Sequence, residues 1–266
     1  MSQNYKITIQ YEGTRYDGWQ KQGNTENTIQ GKLEKVLERM AGQPVEVHGS
    51  GRTDAGVHAL GQVANFHLPD GYFSGSENPG GSGASVENAD KVRAYINRYL
   101  PEDIAVTAIE PVDERFHSRY HAEKKIYSYQ IETGQKRDVF TRRMQYGLGR
   151  ELDVESMKKA AALLCGTHDY KSFCGNSRMK KSTVRTVFSI TVQQVPESSV
   201  VAIVFVGNGF LQNMVRIMTG TLIEVGLGER TWQSVEKTLE ARDRQTAGAT
   251  APAEGLCLAG VLYGRA

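Results

Sequence analysis

Eleven residues, Gly49-Ser50-Gly51-Arg52-Thr53-Asp54-Ala55-Gly56-Val57-His58-Ala59, set three glycines among a guanidinium, a hydroxyl, a carboxylate and an imidazole. Glycine accepts positive φ and lets backbone pass close to other groups, so this run reads as a tight turn able to push Asp54 into a cleft. Its flanks say what the turn connects. Val45 to His48 and Val63 to Leu68 are rich in β-branched and apolar residues, which predicts a strand on each side. Asp54 is then held between two strands. An aspartate in such a turn also has a plain reading, as a turn residue only.

The rest of the chain alternates between strand and helix signals. Tyr5, Ile7, Ile9 and Tyr11 alternate with polar residues, the period of a half-buried strand. Thr28 can cap a helix carrying Ile29, Leu33, Val36, Leu37 and Met40 on one face, with Gly42 ending it. Residues 70–88 change to Gly, Ser, Asn and Glu with little to bury, and are expected to form a flexible insertion. A helix over Lys91 to Leu100 and a strand over Ile104 to Ile109 follow. In the second half, His121 to Thr133 reads as a strand, Asp153 caps a helix, and Val184–Val195 with Val200–Val206 reads as a hairpin. Helices over about 211–225 and 231–242 precede a closing strand, Leu256 to Tyr263. The expected architecture is α+β, with antiparallel sheets flanked by helices in two similar subdomains. These would be 1–111, carrying the Asp54 turn, and 112–266.

Composition excludes more than it selects. Of 266 residues, 39% are hydrophobic and 23% charged, as in ordinary globular proteins. No apolar run is long enough to span a bilayer, and the N-terminus lacks a signal-peptide pattern. Cys165, Cys174 and Cys257 form no CxxC pair, which predicts reduced thiols, no metal site and a cytoplasmic protein. The net charge is only +2, but its distribution is uneven. Arg115, His117, Arg119, His121, Lys124 and Lys125 are followed by Lys136, Arg137, Arg142 and Arg143, then by Arg178, Lys180, Lys181 and Arg185. Glu34, Glu38, Glu236 and Glu240 fall on expected helices. A segregated basic face attracts a phosphate backbone; dispersed surface charge is the other reading.

The glycine-rich run resembles, nearly residue for residue, the signature of the tRNA pseudouridine synthase A family. Three more segments carry the resemblance in the expected order: 116–122 with 125–129, 205–216, and 253–258 with Tyr263 beyond. Ser118 and Tyr120 depart from the common pattern, and neither is assigned to chemistry. The resemblance implies a pseudouridine synthase fold with an active-site cleft between the subdomains. The implied reaction is isomerisation of uridine to pseudouridine at positions 38, 39 and 40 of the tRNA anticodon stem-loop. It needs no cofactor and no metal, and the chain shows no GxxxxGK[ST] and no GxGxxG after a strand. Family members act as homodimers on tRNA.

Carried over by position, Asp54 is the catalytic aspartate, Arg216 its cationic partner, and Tyr127 the aromatic at the substrate base. Leu256 is an apolar wall, and Arg52 and Arg119 are phosphate contacts. The residues themselves admit other readings: Tyr127 as core, Arg52 and Arg119 as surface charge, His58 as structural or as a proton carrier. Arg216 sits among apolar neighbours, where a guanidinium needs a partner. A non-catalytic RNA-binding protein and an aspartate-dependent hydrolase that releases free uracil are the alternatives.

Overall fold

A computed structural model describes residues 2–69, 86–136, 138–176 and 178–264. The chain forms two compact units, Met1–Glu123 with Gly260–Ala266, and Lys124–Ala259. The segment after Val112 is tied back onto the first unit by side-chain hydrogen bonds from Asn4 to the carbonyls of Asp113 and Phe116.

In the first unit, strand β1 (Ser2–Tyr11) lies between two antiparallel partners. It pairs with β3 (His58–Pro69) in a register that sets Tyr5 opposite Phe66, and with β4 (Ile104–Val112), setting Ile7 opposite Ile109. Tyr5, Ile7, Ile9 and Tyr11 are all buried, so the period-two pattern marks the core-facing side. Helix α1 (Ile29–Ala41) begins at Thr28, whose side chain accepts from the Gly31 amide at 3.2 Å, and stops at Gly42, where φ is 70°. Its apolar stripe is buried as expected. Helix α2 (Val86–Tyr99) packs on β4 and α1, and its Ala89, Val92 and Ile96 are buried. It starts earlier than expected and takes in 86–88; the rest of the expected insertion, 70–85, lies outside the described residues.

Strand β2 (His48–Gly49) is shorter than the pattern around Val45 suggested. Val45 and Val47 are buried, but helix side chains take the place of a strand partner. The Val47 amide donates to Glu34 at 3.2 Å, and Gln30 donates to the Val47 carbonyl at 3.2 Å. Both backbone groups of Val47 are satisfied by helix side chains without a strand ladder.

In the second unit, β5 (Ala122–Glu132), β9 (Val200–Gly207), β8 (Val184–Gln194) and β7 (Gly166–Asp169) pair antiparallel in that order. Short β6 (Tyr146–Gly147) adds in parallel to β5. β8 and β9 form the expected hairpin, closed by a turn in which Glu197 takes φ 55°. Helices α3 (Val154–Leu163), α4 (Met214–Gly226) and α5 (Ser234–Ala241) complete this unit. Asp153 caps α3 by accepting from the Ser156 amide at 3.0 Å. Every residue of α4 is buried except Arg216 and Glu224, the pattern of a core helix that is apolar nearly all round. The last strand, β10 (Leu256–Tyr263), begins in the second unit and ends in the first. Both units mix helices with antiparallel strands, so the fold is α+β.

Candidate active site

The turn bearing Asp54 is fixed from several sides. Trp19, 2% exposed, lies against Gly49 so closely that a Cβ there would meet its indole nitrogen at 2.4 Å. The Trp19 amide donates to the Thr53 carbonyl at 3.1 Å, and the Thr53 hydroxyl meets the Tyr11 hydroxyl at 2.7 Å. Across the turn, Gly56 takes φ 78° and its amide donates to the Tyr16 carbonyl at 3.3 Å, while the Val57 amide donates to the Asp54 carbonyl at 3.1 Å. The other limb is held by β3: Ser50 donates through its hydroxyl to Gln62 Oε1 at 2.7 Å, and Gln62 Nε2 donates to the Gly51 carbonyl at 3.0 Å. Asp54 is thus a half-buried carboxylate on a backbone locked at both ends, as a preorganised group requires.

His58 is 1% exposed, its Nδ1 accepts the Gly13 amide at 3.0 Å, and Glu12 Oε1 stands 3.7 Å from the same nitrogen. Arg52 is exposed beside the turn, with Nε donating to Gln20 Oε1 at 3.0 Å. Arg119 is exposed on the 116–121 segment.

That segment is held by a buried polar network. Ser118 is fully buried; its amide donates to Asn65 Oδ1 at 2.9 Å and its hydroxyl donates to the His48 carbonyl. Asn65 in turn donates to Asn4 Oδ1 at 3.2 Å, and the Tyr263 hydroxyl donates to the Ser118 carbonyl at 2.7 Å. Buried polar groups that are mutually satisfied fix one arrangement. Ser118, a departure from the common family pattern, is here a connector between segment 116–121 and β2.

In the second unit, Tyr127 on β5 is 7% exposed and meets Phe210 edge-on, with centroids 5.4 Å apart at 89°. Arg216, in the first turn of α4, is half-buried. Its Nε donates to the Ala251 carbonyl at 2.7 Å and its Nη1 to Asn213 Oδ1 at 3.1 Å. The Ala251 amide returns a bond to the Arg216 carbonyl at 3.1 Å, so residue 251 grips the arginine by backbone and side chain together. Asn213 takes φ 57°, a left-handed conformation uncommon outside glycine. Nearby, Tyr129 donates to the Pro252 carbonyl at 2.8 Å, and burial pushes its phenol pKa up. Gly255 passes the Tyr129 ring where a Cβ would come within 2.6 Å, and Leu256, 4% exposed, follows it. Asn213 and the Ala251 carbonyl were not picked out from the sequence. The one cue to Asn213 is an asparagine directly ahead of an apolar helix.

The family described as tRNA pseudouridine synthase matches residues 7–121 and 160–264, in both units, and the chain belongs to it. Curated relatives extend the match along nearly the full length. A "tRNA pseudouridine synthase A" of Bacillus sp. (strain KSM-64) is 46% identical over 260 residues, covering 98% of this chain and 99% of that protein. "tRNA pseudouridine synthase A 2" of Bacillus cereus (strain ZK / E33L) is 45% identical with the same coverage. A "tRNA pseudouridine synthase A" of Clostridium kluyveri is 43% identical, again with 98% and 99% coverage. Among the described residues no helix is long and apolar enough to cross a membrane, and no cluster of His, Cys, Asp and Glu could hold a metal ion.

Proposed function

We propose that this chain isomerises uridine to pseudouridine at positions 38, 39 and 40 of the tRNA anticodon stem-loop, with Asp54 essential. In this reaction the bond from C1′ to N1 breaks, the uracil turns while held, and C1′ rejoins through C5. The proton on C5 leaves and N1 gains one, so nothing is hydrolysed and nothing is oxidised. The observation that carries the reading is the locked turn around Asp54, in a chain of this family with relatives matched end to end.

Each candidate residue has a part in this chemistry. Asp54 supplies the carboxylate that acts on the nucleotide. Arg216, gripped by Ala251 and Asn213, supplies a fixed positive charge. Tyr127 stacks on the uracil, Leu256 presents an apolar wall, and Arg52 and Arg119 meet phosphates. A stacked base is out of reach, so the uridine is flipped out, at a cost of a few kcal/mol offset by stacking and backbone contacts. Adjacent targets are served by reading RNA shape rather than base sequence. The protein works in the cytoplasm as a homodimer.

The test is an unmodified tRNA transcript with uridines at 38 to 40, incubated with purified protein and mapped by carbodiimide labelling and primer extension. Wild type is expected to yield pseudouridine there. Asp54→Asn is expected to lose at least about 10^3-fold in rate, within the range for removing a group that acts in the chemical step. Tight binding without product from wild type would favour an RNA-binding protein instead.

A further inference from the structure

Segment 116–121 carries a feature that the isomerisation itself does not use. Tyr120 is 75% exposed, and a lone exposed aromatic would call for no explanation. This one is backed by a column. Its ring centroid lies 4.3 Å from that of His117 at 43°, and His117 lies 5.1 Å from His48 at 28°. The column is also held rigid. His117 Nδ1 accepts the Arg119 amide at 3.1 Å, and His121 Nδ1 accepts the His117 amide at 3.1 Å. Ser118, fully buried, ties the segment to the His48 carbonyl and to Asn65.

The charges around the column are mixed. Arg119 and His121 are exposed on the segment, and Asp113, Glu114 and Arg115 are exposed just ahead of it. Glu46 Oε1 stands 3.7 Å from His48 Nδ1 at the foot of the column. Partial burial, with His48, His121 and Arg119 close by, disfavours the protonated form of His117. A neutral imidazole stacks as an aromatic ring.

We propose that Tyr120, backed by His117 and His48, is a platform on which one unstacked base of an RNA strand stacks, with Arg119 beside it for the adjoining phosphate. Single-stranded RNA is held by this combination of aromatic faces and guanidinium groups. A protein partner would want apolar neighbours around the ring, and here the neighbours are charged. His48 opens β2, which runs directly into the turn of Asp54, so the platform and the catalytic turn share one scaffold.

The inference rests on tRNA being the substrate, and the experiment separates the two. Affinity for an unmodified tRNA transcript is measured at several salt concentrations in an Asp54→Asn background, alone and combined with Tyr120→Ala, Tyr120→Phe or Arg119→Ala. Loss of one stacked base is expected to weaken binding about tenfold for Tyr120→Ala with the salt slope unchanged. Tyr120→Phe, which keeps the ring, restores affinity. Arg119→Ala lowers the slope by about one, as for one lost phosphate contact. Unchanged affinity for Tyr120→Ala, with wild type still forming pseudouridine, overturns the platform alone. Failure of the parent protein to bind tRNA overturns both the platform and the proposed substrate.

Discussion

Asn213 combines a left-handed backbone with a side chain that meets Arg216 at 3.1 Å. Glycine at this position would keep the backbone and lose the contact, whereas alanine would lose both. A hydrogen bond to a charged group contributes about 1.5–3 kcal/mol. Asn213→Gly is therefore expected to lower Tm through the lost bond and to lower kcat as Arg216 loses its support, and Asn213→Ala to lower Tm further through the strained backbone. Unchanged kcat in Asn213→Gly would show that the contact does not position Arg216. His117 supplies a second expectation. Partial burial, then the nearby His48, His121 and Arg119, lower its pKa. An NMR titration of its imidazole should give a midpoint below the ordinary value of about 6.5. With the folded value below the unfolded one, the unfolded chain binds the proton more readily. The contribution to stability is then full above about pH 6.5 and is lost as pH falls through the folded value. A midpoint at or above 6.5 would mean that the imidazole is solvated.

Helix α4 and the strip from Gly248 to Ala251 are joined along several turns. The Gly248 amide donates to Thr221 Oγ1 at 2.9 Å, the Ala249 amide to Glu224 Oε1 at 3.0 Å, and the Ala251 amide to the Arg216 carbonyl at 3.1 Å. Gly220 is the point of closest approach: a Cβ there would fall 1.8 Å from the Ala249 carbonyl oxygen. Replacing a helical glycine by alanine ordinarily stabilises by about 1 kcal/mol. Here the sign should reverse, because the strip would have to leave the helix; overpacking of this kind costs about 1–3 kcal/mol. Gly220→Ala should lower both Tm and activity, since the Ala251 carbonyl holds Arg216. A raised Tm would mean that the strip is loosely held.

Much at this scale was legible in the sequence. The alternation in β1, the Thr28 and Gly42 caps and the β8–β9 hairpin follow from local chemistry and reappear in the structure. Val45–Val47 misled because its backbone partners are side chains of α1, which no strand pattern records. The Ser118 network joins residues as far apart in sequence as Asn4 and Tyr263. Only folding brings those together.

For the whole molecule, the net charge of +2 says little, while the exposure of its basic residues says more. Arg115, Arg119, Lys124, Lys136, Arg142, Arg143, Arg178, Lys180 and Lys181 are all exposed, and Arg185, whose pKa burial pushes down, is only half-buried. Glu34, Glu38, Glu236 and Glu240 lie on α1 and α5, as their spacing suggested. The candidate site was legible to different depths. Asp54 stood out because the run around it resembles the family signature nearly residue for residue; the glycine-rich turn by itself also admitted the plain reading of a turn residue. Asn213 and Ala251 did not, because their roles depend on a positive φ and on a carbonyl oxygen, and neither is a property of a side chain. Isomerisation of uridine driven by Asp54 can be followed on a tRNA transcript carrying tritium at C5 of its uridines. Joining C1′ to C5 must release that tritium to water, with the RNA chain and its base count intact. Wild type is expected to release tritium without free uracil, and Asp54→Asn to release none. Free uracil from wild type, or undiminished tritium release from Asp54→Asn, would contradict an isomerisation driven by Asp54.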